Sequence, residues 1–250
     1  MPTQEIQTLI ILGARGDLTE RLLLPGLANA LATGKVDAVQ VIGSGRPEIS
    51  DDDWHKVIDP AFAGSPSEAG DKTIADSQYI QADPTSREGL QKLLDAATGT
   101  PAFYFALPPS ITQKVCGVLA DMDLPEGTAL AIEKPFGTNL AGAQEFNHTL
   151  LRTLDEEHIH RVDHFLAKAT VLNLVGLRFA NRLFENVLNR DNVKRVEIIY
   201  DETLALEGRA GYYDTSGALV DMVQSHLLLV LALVAMEQPS SPAPTTCTAP

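Results

Sequence analysis

Positive charge is scarce in this sequence: 19 Lys and Arg stand against 33 Asp and Glu in 250 residues, a formal net charge of −14. That balance excludes nucleic acid and anionic membrane surfaces as partners, because both attract clustered Lys and Arg. An anionic small ligand would have to be met by locally concentrated cations. Cysteine is scarcer still. Cys116 lies in an apolar stretch and Cys247 in the tail, which suggests neither a disulfide framework nor a metal site and fits a reducing cytoplasm. No basic n-region precedes the first apolar strand, and the longest apolar run, Leu227 to Met236, is too short to span a bilayer, so a soluble protein is expected. A Gly-Lys-Ser or Gly-Lys-Thr phosphate loop is missing throughout, which removes the kinase and ATPase readings.

What is present is an ordinary globular composition, 44% hydrophobic and 21% charged, enough for one large domain or two of moderate size. Short β-rich runs alternate with helical patterns through the first half, the signature of βαβ units and a doubly wound parallel sheet. Strands are expected near Thr8–Leu12, Val39–Ile42, Gln78–Ala82, Ala102–Ala106 and Ala129–Ile132, with helices starting near Leu18, Asp52, Ser86 and Ser110. Pro25 falls inside the first helical pattern, where it should remove a backbone donor and bend the helix. From Asn139 the pattern changes to long helical stretches, 139–158, 168–180 and about 216–237, with a strand-like Val193–Tyr200 between the last two. The reading is therefore a dinucleotide-binding α/β domain over 1–160, a second domain over 161–239, and a Pro-, Ser- and Thr-rich tail over 240–250 that cannot bury enough to order itself.

The first strand runs into Gly13-Ala14-Arg15-Gly16-Asp17-Leu18 and then a helix, so the glycines sit where the backbone turns sharply and approaches a ligand. A helix N-terminus adds free N–H groups and a positive dipole end, which suits a pyrophosphate. A bare Gly-x-x-Gly also fits an ordinary strand-to-helix turn. The second strand ends in Gly43-Ser44-Gly45-Arg46, where a dinucleotide fold meets the adenosine ribose. An acidic residue there accepts from a free 2′-hydroxyl, whereas Arg46 can pair with a 2′-phosphate, so NADP is favoured over NAD. Glu48 nearby weakens that preference, and a solvated loop arginine is the alternative.

Further along, Arg161-Val-Asp-His-Phe-Leu-Ala-Lys168 packs an acid, a histidine and a lysine just before a helix. Lys134, in Ile132-Glu-Lys-Pro-Phe-Gly137, directly follows a strand of the parallel sheet, and ligands of such folds bind at strand carboxyl ends. Together these could supply cations for a phosphate monoester, although a surface lysine explains Lys134 equally simply. His226 precedes an almost wholly apolar helix segment and should be buried; composition alone reads it as a satisfied core histidine.

These segments, with Gly211-Tyr-Tyr-Asp-Thr-Ser-Gly-Ala-Leu-Val-Asp-Met-Val-Gln-Ser-His226, resemble glucose-6-phosphate 1-dehydrogenase, in that family's order and from about Leu9 to Pro239. The resemblance implies a Rossmann-like domain followed by an α+β substrate domain, and oxidation of a sugar phosphate at C1 with NADP as hydride acceptor. It places the general base at His226 and its orienting carboxylate at Asp163. His164 and Lys168 match phosphate-binding positions, Lys134 lies between sugar and coenzyme, and Glu202 and Asp221 hold sugar hydroxyls. The departures are Leu22 where the family has Lys, Phe165 for Tyr, Ala167 for Gly, Ala169 for Glu and Ser225 for Asn. Phe165 cannot donate the family's hydroxyl hydrogen bond to the phosphate, a charged-group bond worth about 1.5–3 kcal/mol, so weaker phosphate binding or another sugar phosphate follows.

The family continues for about as many residues again beyond Pro239, completing an antiparallel sheet and usually a homo-oligomer interface. The second domain is accordingly expected to be incomplete and the tail unrelated, as from a frameshift or an early stop. Two alternatives to the active enzyme remain: a catalytically impaired remnant that still binds nucleotide, and a different dehydrogenase in which Lys134 carries the proton.

Overall fold

Residues 8–12, apolar at almost every position, form β1 (Thr8–Leu12), which lies at the middle of a six-stranded parallel sheet. The others are β2 (Gln40–Gly45), β3 (Gln78–Gln81), β4 (Pro101–Phe105), β5 (Ala129–Glu133) and β6 (Ile159–Val162), in the order β3-β2-β1-β4-β5-β6. The computed structural model describes residues 5–185, 187–201, 214 and 217–237. Two compact units emerge, Met1–Val162 and Asp163–Pro250. The sequence pattern missed β6, which carries the sheet to Val162, and ran the preceding helix to residue 158; that helix stops at Thr153.

In the first unit, alternate residues of each strand feed two cores. Ile10, Leu12, Phe103 and Ile132 pack on one face beneath α4 (Arg87–Ala96), α5 (Pro109–Leu119) and α6 (Leu140–Thr153). Ile11 and Val41 pack on the other with α1 (Leu24–Ala32) and α2 (Asp51–Ala63), whose Trp54 is fully buried. Burial on both faces is why β1 and β4 read as continuous apolar runs. Gly43 makes room for Trp54: a Cβ at that position would lie 2.6 Å from the indole. A short α3 (Glu68–Ala75), too poor in apolar residues to be read as a helix from its pattern, completes this side.

Pro25 lies inside one continuous helix over residues 17–32, directly after Thr19–Leu23, which wind as a π-helical turn in which the Leu24 N–H reaches back to Thr19 O.

In the second unit, α7 (Ala169–Phe179) and α8 (Arg182–Glu185) precede a helical stretch made of a π-helical segment, Leu219–Leu227, and α9 (Leu228–Ala235). Arg178 on α7 donates to Leu233 O at 2.6 Å and Met236 O at 2.8 Å, capping the carbonyl end of α9. The strand expected over Val193–Tyr200 does not form: these residues are irregular and have no ladder partner among the described residues. Alternating apolar residues suit a strand, but a strand exists only when another one pairs with it. The tail 240–250 lies outside the described residues.

Candidate functional site

The glycine turn sits at the carboxyl end of β1, where the strand order reverses between β1 and β4, the position at which open α/β sheets bind ligands. Gly13 and Ala14 donate their amides to Ser44 O at 2.9 and 3.0 Å, tying the turn to β2, and Gly16 N donates to Gly13 O at 3.0 Å. The amides of Arg15, Asp17 and Leu18 have no backbone partner among the described residues, leaving donors at the head of a helix.

The two glycines differ in kind. Gly13 has φ +85°, and a Cβ there would lie 2.2 Å from Ala106 O. Gly16 would meet only Gly13 O, at 3.3 Å, a tight contact that a shift of a few tenths of an ångström relieves, so the fold's own demand for glycine is milder there. Asp17 forms an exposed ion pair with Arg21 at 3.4 Å and is not engaged with the turn.

The turn opens into a cleft of about 370 Å³ lined by Gly13, Arg15, Gly16, Arg46, Tyr79 and Lys114 among others, within the usual range for a small-molecule site. Arg46 is presented by a fixed backbone: Gln81 Nε2 donates to Arg46 O at 2.8 Å and Tyr79 Oη to Pro47 O at 3.1 Å. Burial raises the Tyr79 phenol, with Arg15 opposing it, and the Asp53 carboxyl is held below its ordinary pKa by hydrogen bonds from Lys56 and Ser50, with Arg15 contributing least. The one carboxylate of the lining, Asp83, is held below its ordinary pKa by hydrogen bonds from Thr85, its side chain at 2.7 Å and its amide at 2.9 Å, with Arg46 contributing less. Three cations, Arg15, Arg46 and Lys114, thus face one ionised acid in a chain that is strongly acidic overall. Lys114, Tyr79 and Asp83 were not singled out by sequence. Asp83 lies just beyond a strand carboxyl end, a usable signal, whereas nothing near Lys114 announces it.

Lys134 follows β5 and is half-buried; its bond to Pro135 is cis. The preceding Glu133 accepts a hydrogen bond from Tyr104 Oη at 2.5 Å, and burial followed by this bond pushes the Tyr104 phenol well above its ordinary pKa. Leu22, on the helix leaving the turn, is 66% exposed.

In the second unit, distant sequence positions meet. His226, 2% exposed, places Nδ1 3.4 Å from Oδ1 of Asp163, itself 9% exposed. The same Oδ1 accepts the Phe165 amide at 2.8 Å, so Asp163 heads a tight turn and faces the imidazole at once. Phe165 stacks on His226, with ring centroids 3.9 Å apart and planes inclined by 18°; His164 meets the same imidazole edge-on at 4.9 Å. Lys168 Nζ lies over the Phe165 ring at 4.6 Å and over Tyr200 at 5.3 Å. Composition had read His226 as a core histidine; it is buried, but beside a carboxylate. Asp221 stands half-buried in the same π-helical segment, a distortion common at functional sites. Ser225 uses its hydroxyl on Val220 O at 2.7 Å. Glu202 lies outside the described residues. No group of three or more potential metal ligands occurs among the described residues.

The sheet order, the glycine turn at the reversal point and the cations around it define a dinucleotide-binding protein of the Rossmann class. A model of the glucose-6-phosphate dehydrogenase NAD binding domain matches residues 10–173, and one of the glucose-6-phosphate dehydrogenase C-terminal domain matches residues 175–248. The chain belongs to the glucose-6-phosphate dehydrogenase family. Glucose-6-phosphate 1-dehydrogenase of Rhizobium meliloti (strain 1021) is 39% identical over 244 residues, covering 93% of this chain and 50% of the relative. The cytoplasmic isoform of Solanum tuberosum is 36% identical over 265 residues, covering 98% and 52%. Among solved structures, a glucose-6-phosphate dehydrogenase in complex with glucose-6-phosphate superposes with a TM-score of 0.84 at 30% identity, covering 96% of this chain and 54% of that one. The enzyme from Mycobacterium avium gives 0.82 at 34%, covering 95% and 53%. The chain spans about half the length of the curated relatives it matches. The C-terminal match also continues past Pro239, where the sequence reading had ended the resemblance and called the tail unrelated.

Proposed function

We propose that the chain oxidises glucose 6-phosphate at C1 to 6-phosphogluconolactone with NADP; its relatives are named glucose-6-phosphate dehydrogenases, and one solved structure holds glucose-6-phosphate as substrate. The observation that carries the reading is the buried Asp163–His226 pair. With Nδ1 facing the carboxylate, Nε2 is assigned the C1 hydroxyl proton, and Asp163 stabilises the imidazolium that results. The C1–H bond breaks as the C1=O bond forms, and its electron pair leaves as hydride. When bound, the nicotinamide supplies the acceptor for that pair.

Residues of the first unit fit the coenzyme. Gly16, where the fold's own demand for glycine is milder than at Gly13, leaves space for a pyrophosphate, and Arg15 and Arg46 supply charge for a ribose 2′-phosphate. Lys134 is assigned to the sugar–coenzyme junction, His164 and Lys168 to the sugar phosphate, and Asp221 and Glu202 to its hydroxyls. Pairing with Asp163 favours His226 over Lys134 as the proton acceptor. A cytoplasmic location is proposed from the potato isoform's name; no helix among the described residues is long and apolar enough to cross a membrane. The test is direct: mix purified chain with glucose 6-phosphate and NADP and follow NADPH. Turnover is expected. Measurable NADP binding without turnover would leave a nucleotide-binding remnant in place of the enzyme.

A further inference from the structure

We propose that Phe165 is a positioning residue for His226, its ring fixing the plane of an imidazole that Asp163 holds at one nitrogen; this rests on the assignment of His226 as the base. Asp163 alone does not fix the ring. Its Oδ1 spends its short bond, 2.8 Å, on the Phe165 amide and stands 3.4 Å from His226 Nδ1, an ion-pair distance beyond the ordinary range of an N–H···O hydrogen bond. One such contact restrains a point of the imidazole and leaves rotation about Cβ–Cγ, a torsion with a broad profile in histidine.

Phe165 removes that freedom. The two rings lie nearly parallel at a centroid separation of 3.9 Å, and both are almost wholly buried, at 6% and 2% exposure. Turning the imidazole out of this plane would drive its edge into the Phe165 face, while the His164 ring, inclined by 68°, stands beside it. Three consecutive residues of one turn therefore present a carboxylate, an edge and a face to the same histidine. The sequence comparison had valued position 165 for a phenolic hydroxyl, which phenylalanine lacks. In this chain the ring itself has the task, and Nε2 inherits its direction from it.

The experiment pairs a spectroscopic reading with a kinetic one on wild type, Phe165→Leu and Phe165→Tyr. In protein carrying labelled histidine, with His226→Asn identifying its resonance among the six histidines, ring current from Phe165 displaces the His226 ring protons upfield. That displacement is expected to vanish in Phe165→Leu and persist in Phe165→Tyr; an unchanged His226 resonance in the leucine variant overturns the proposal. In turnover with glucose 6-phosphate and NADP, Phe165→Leu is expected to lower kcat by about 10–100-fold with KM for NADP unchanged, and Phe165→Tyr to restore it to within about threefold, since an ångström of misplacement costs up to about 100-fold. An undiminished kcat in the leucine variant also overturns it. If wild type forms no NADPH, the enzyme assignment fails and the positioning role with it, while the resonance comparison still decides whether Phe165 stacks on His226. Should the leucine variant fail to fold, Phe165→Met supplies similar volume without a ring.

Discussion

Replacing each glycine of the phosphate turn by alanine separates what the fold needs from what the ligand needs. At Gly13 a methyl group meets two costs. A φ of +85° is strained for an L-residue by about 1–2 kcal/mol, and a Cβ 2.2 Å from Ala106 O forces the ends of β1 and β4 apart, overpacking of a kind that costs about 1–3 kcal/mol. The sum, about 2–5 kcal/mol, is a large part of the about 5–15 kcal/mol that holds a typical domain. At about 2–4 °C per kcal/mol for a protein of this size, Gly13→Ala should melt about 4–20 °C below wild type. At Gly16 the nearest atom, Gly13 O, is 3.3 Å away, so Gly16→Ala should cost less than about 1 kcal/mol of stability. Its methyl group would instead occupy space assigned to the pyrophosphate and weaken NADP binding about tenfold or more, a loss of about 1.4 kcal/mol. Thermal melting and calorimetric NADP titration of both variants are the assays. Gly13→Ala melting within about 2 °C of wild type would refute the steric argument, and Gly16→Ala binding NADP as wild type does would refute the placement of the phosphates.

Three further outcomes are expected. Arg46→Ala should weaken NADP binding about 10-fold or more and leave NAD binding nearly unchanged, because a charged hydrogen bond is worth about 1.5–3 kcal/mol and Arg46 is exposed; equal losses for both coenzymes in parallel titrations would remove Arg46 from the 2′-phosphate. Tyr104→Phe should lower stability to urea by about 1–2 kcal/mol, as Glu133 loses its short hydrogen bond, and an unchanged midpoint would show that the bond contributes nothing. Burial pushes the Cys116 thiol up to about 12, from an ordinary value of 9.0. The unfolded chain therefore loses this proton first, and stability falls as pH rises from about 9 to 12 by up to about 1.4 kcal/mol per pH unit; Cys116→Ala should flatten that fall, and an equally steep one would contradict the assignment.

Much of the first unit was legible because its signals are local. Continuous apolar runs marked β1 and β4, and glycine followed by a helix marked the turn. Short β6 escaped because His160 and Arg161 break its apolar character and only the pairing with β5 makes it a strand. The converse error, at Val193–Tyr200, has the same root: alternation proposes a strand, but its partner is a property of the whole fold. The Asp163–His226 pair was named through family resemblance, since the two lie far apart in sequence and His226 alone looked like core. The Phe165–His226 stack was not legible at all. Nothing at either position announces a ring-to-ring contact, and resemblance drew attention to the missing hydroxyl instead.

The central claim, that this chain carries out base-assisted oxidation of glucose 6-phosphate, is tested most directly by following NADPH formation with wild type and His226→Asn side by side, with NADP affinity measured for both. The account predicts turnover by wild type and a loss of at least about 100-fold in the variant, with coenzyme affinity unchanged. Equal turnover by the two proteins, or none by wild type that binds NADP, would contradict it.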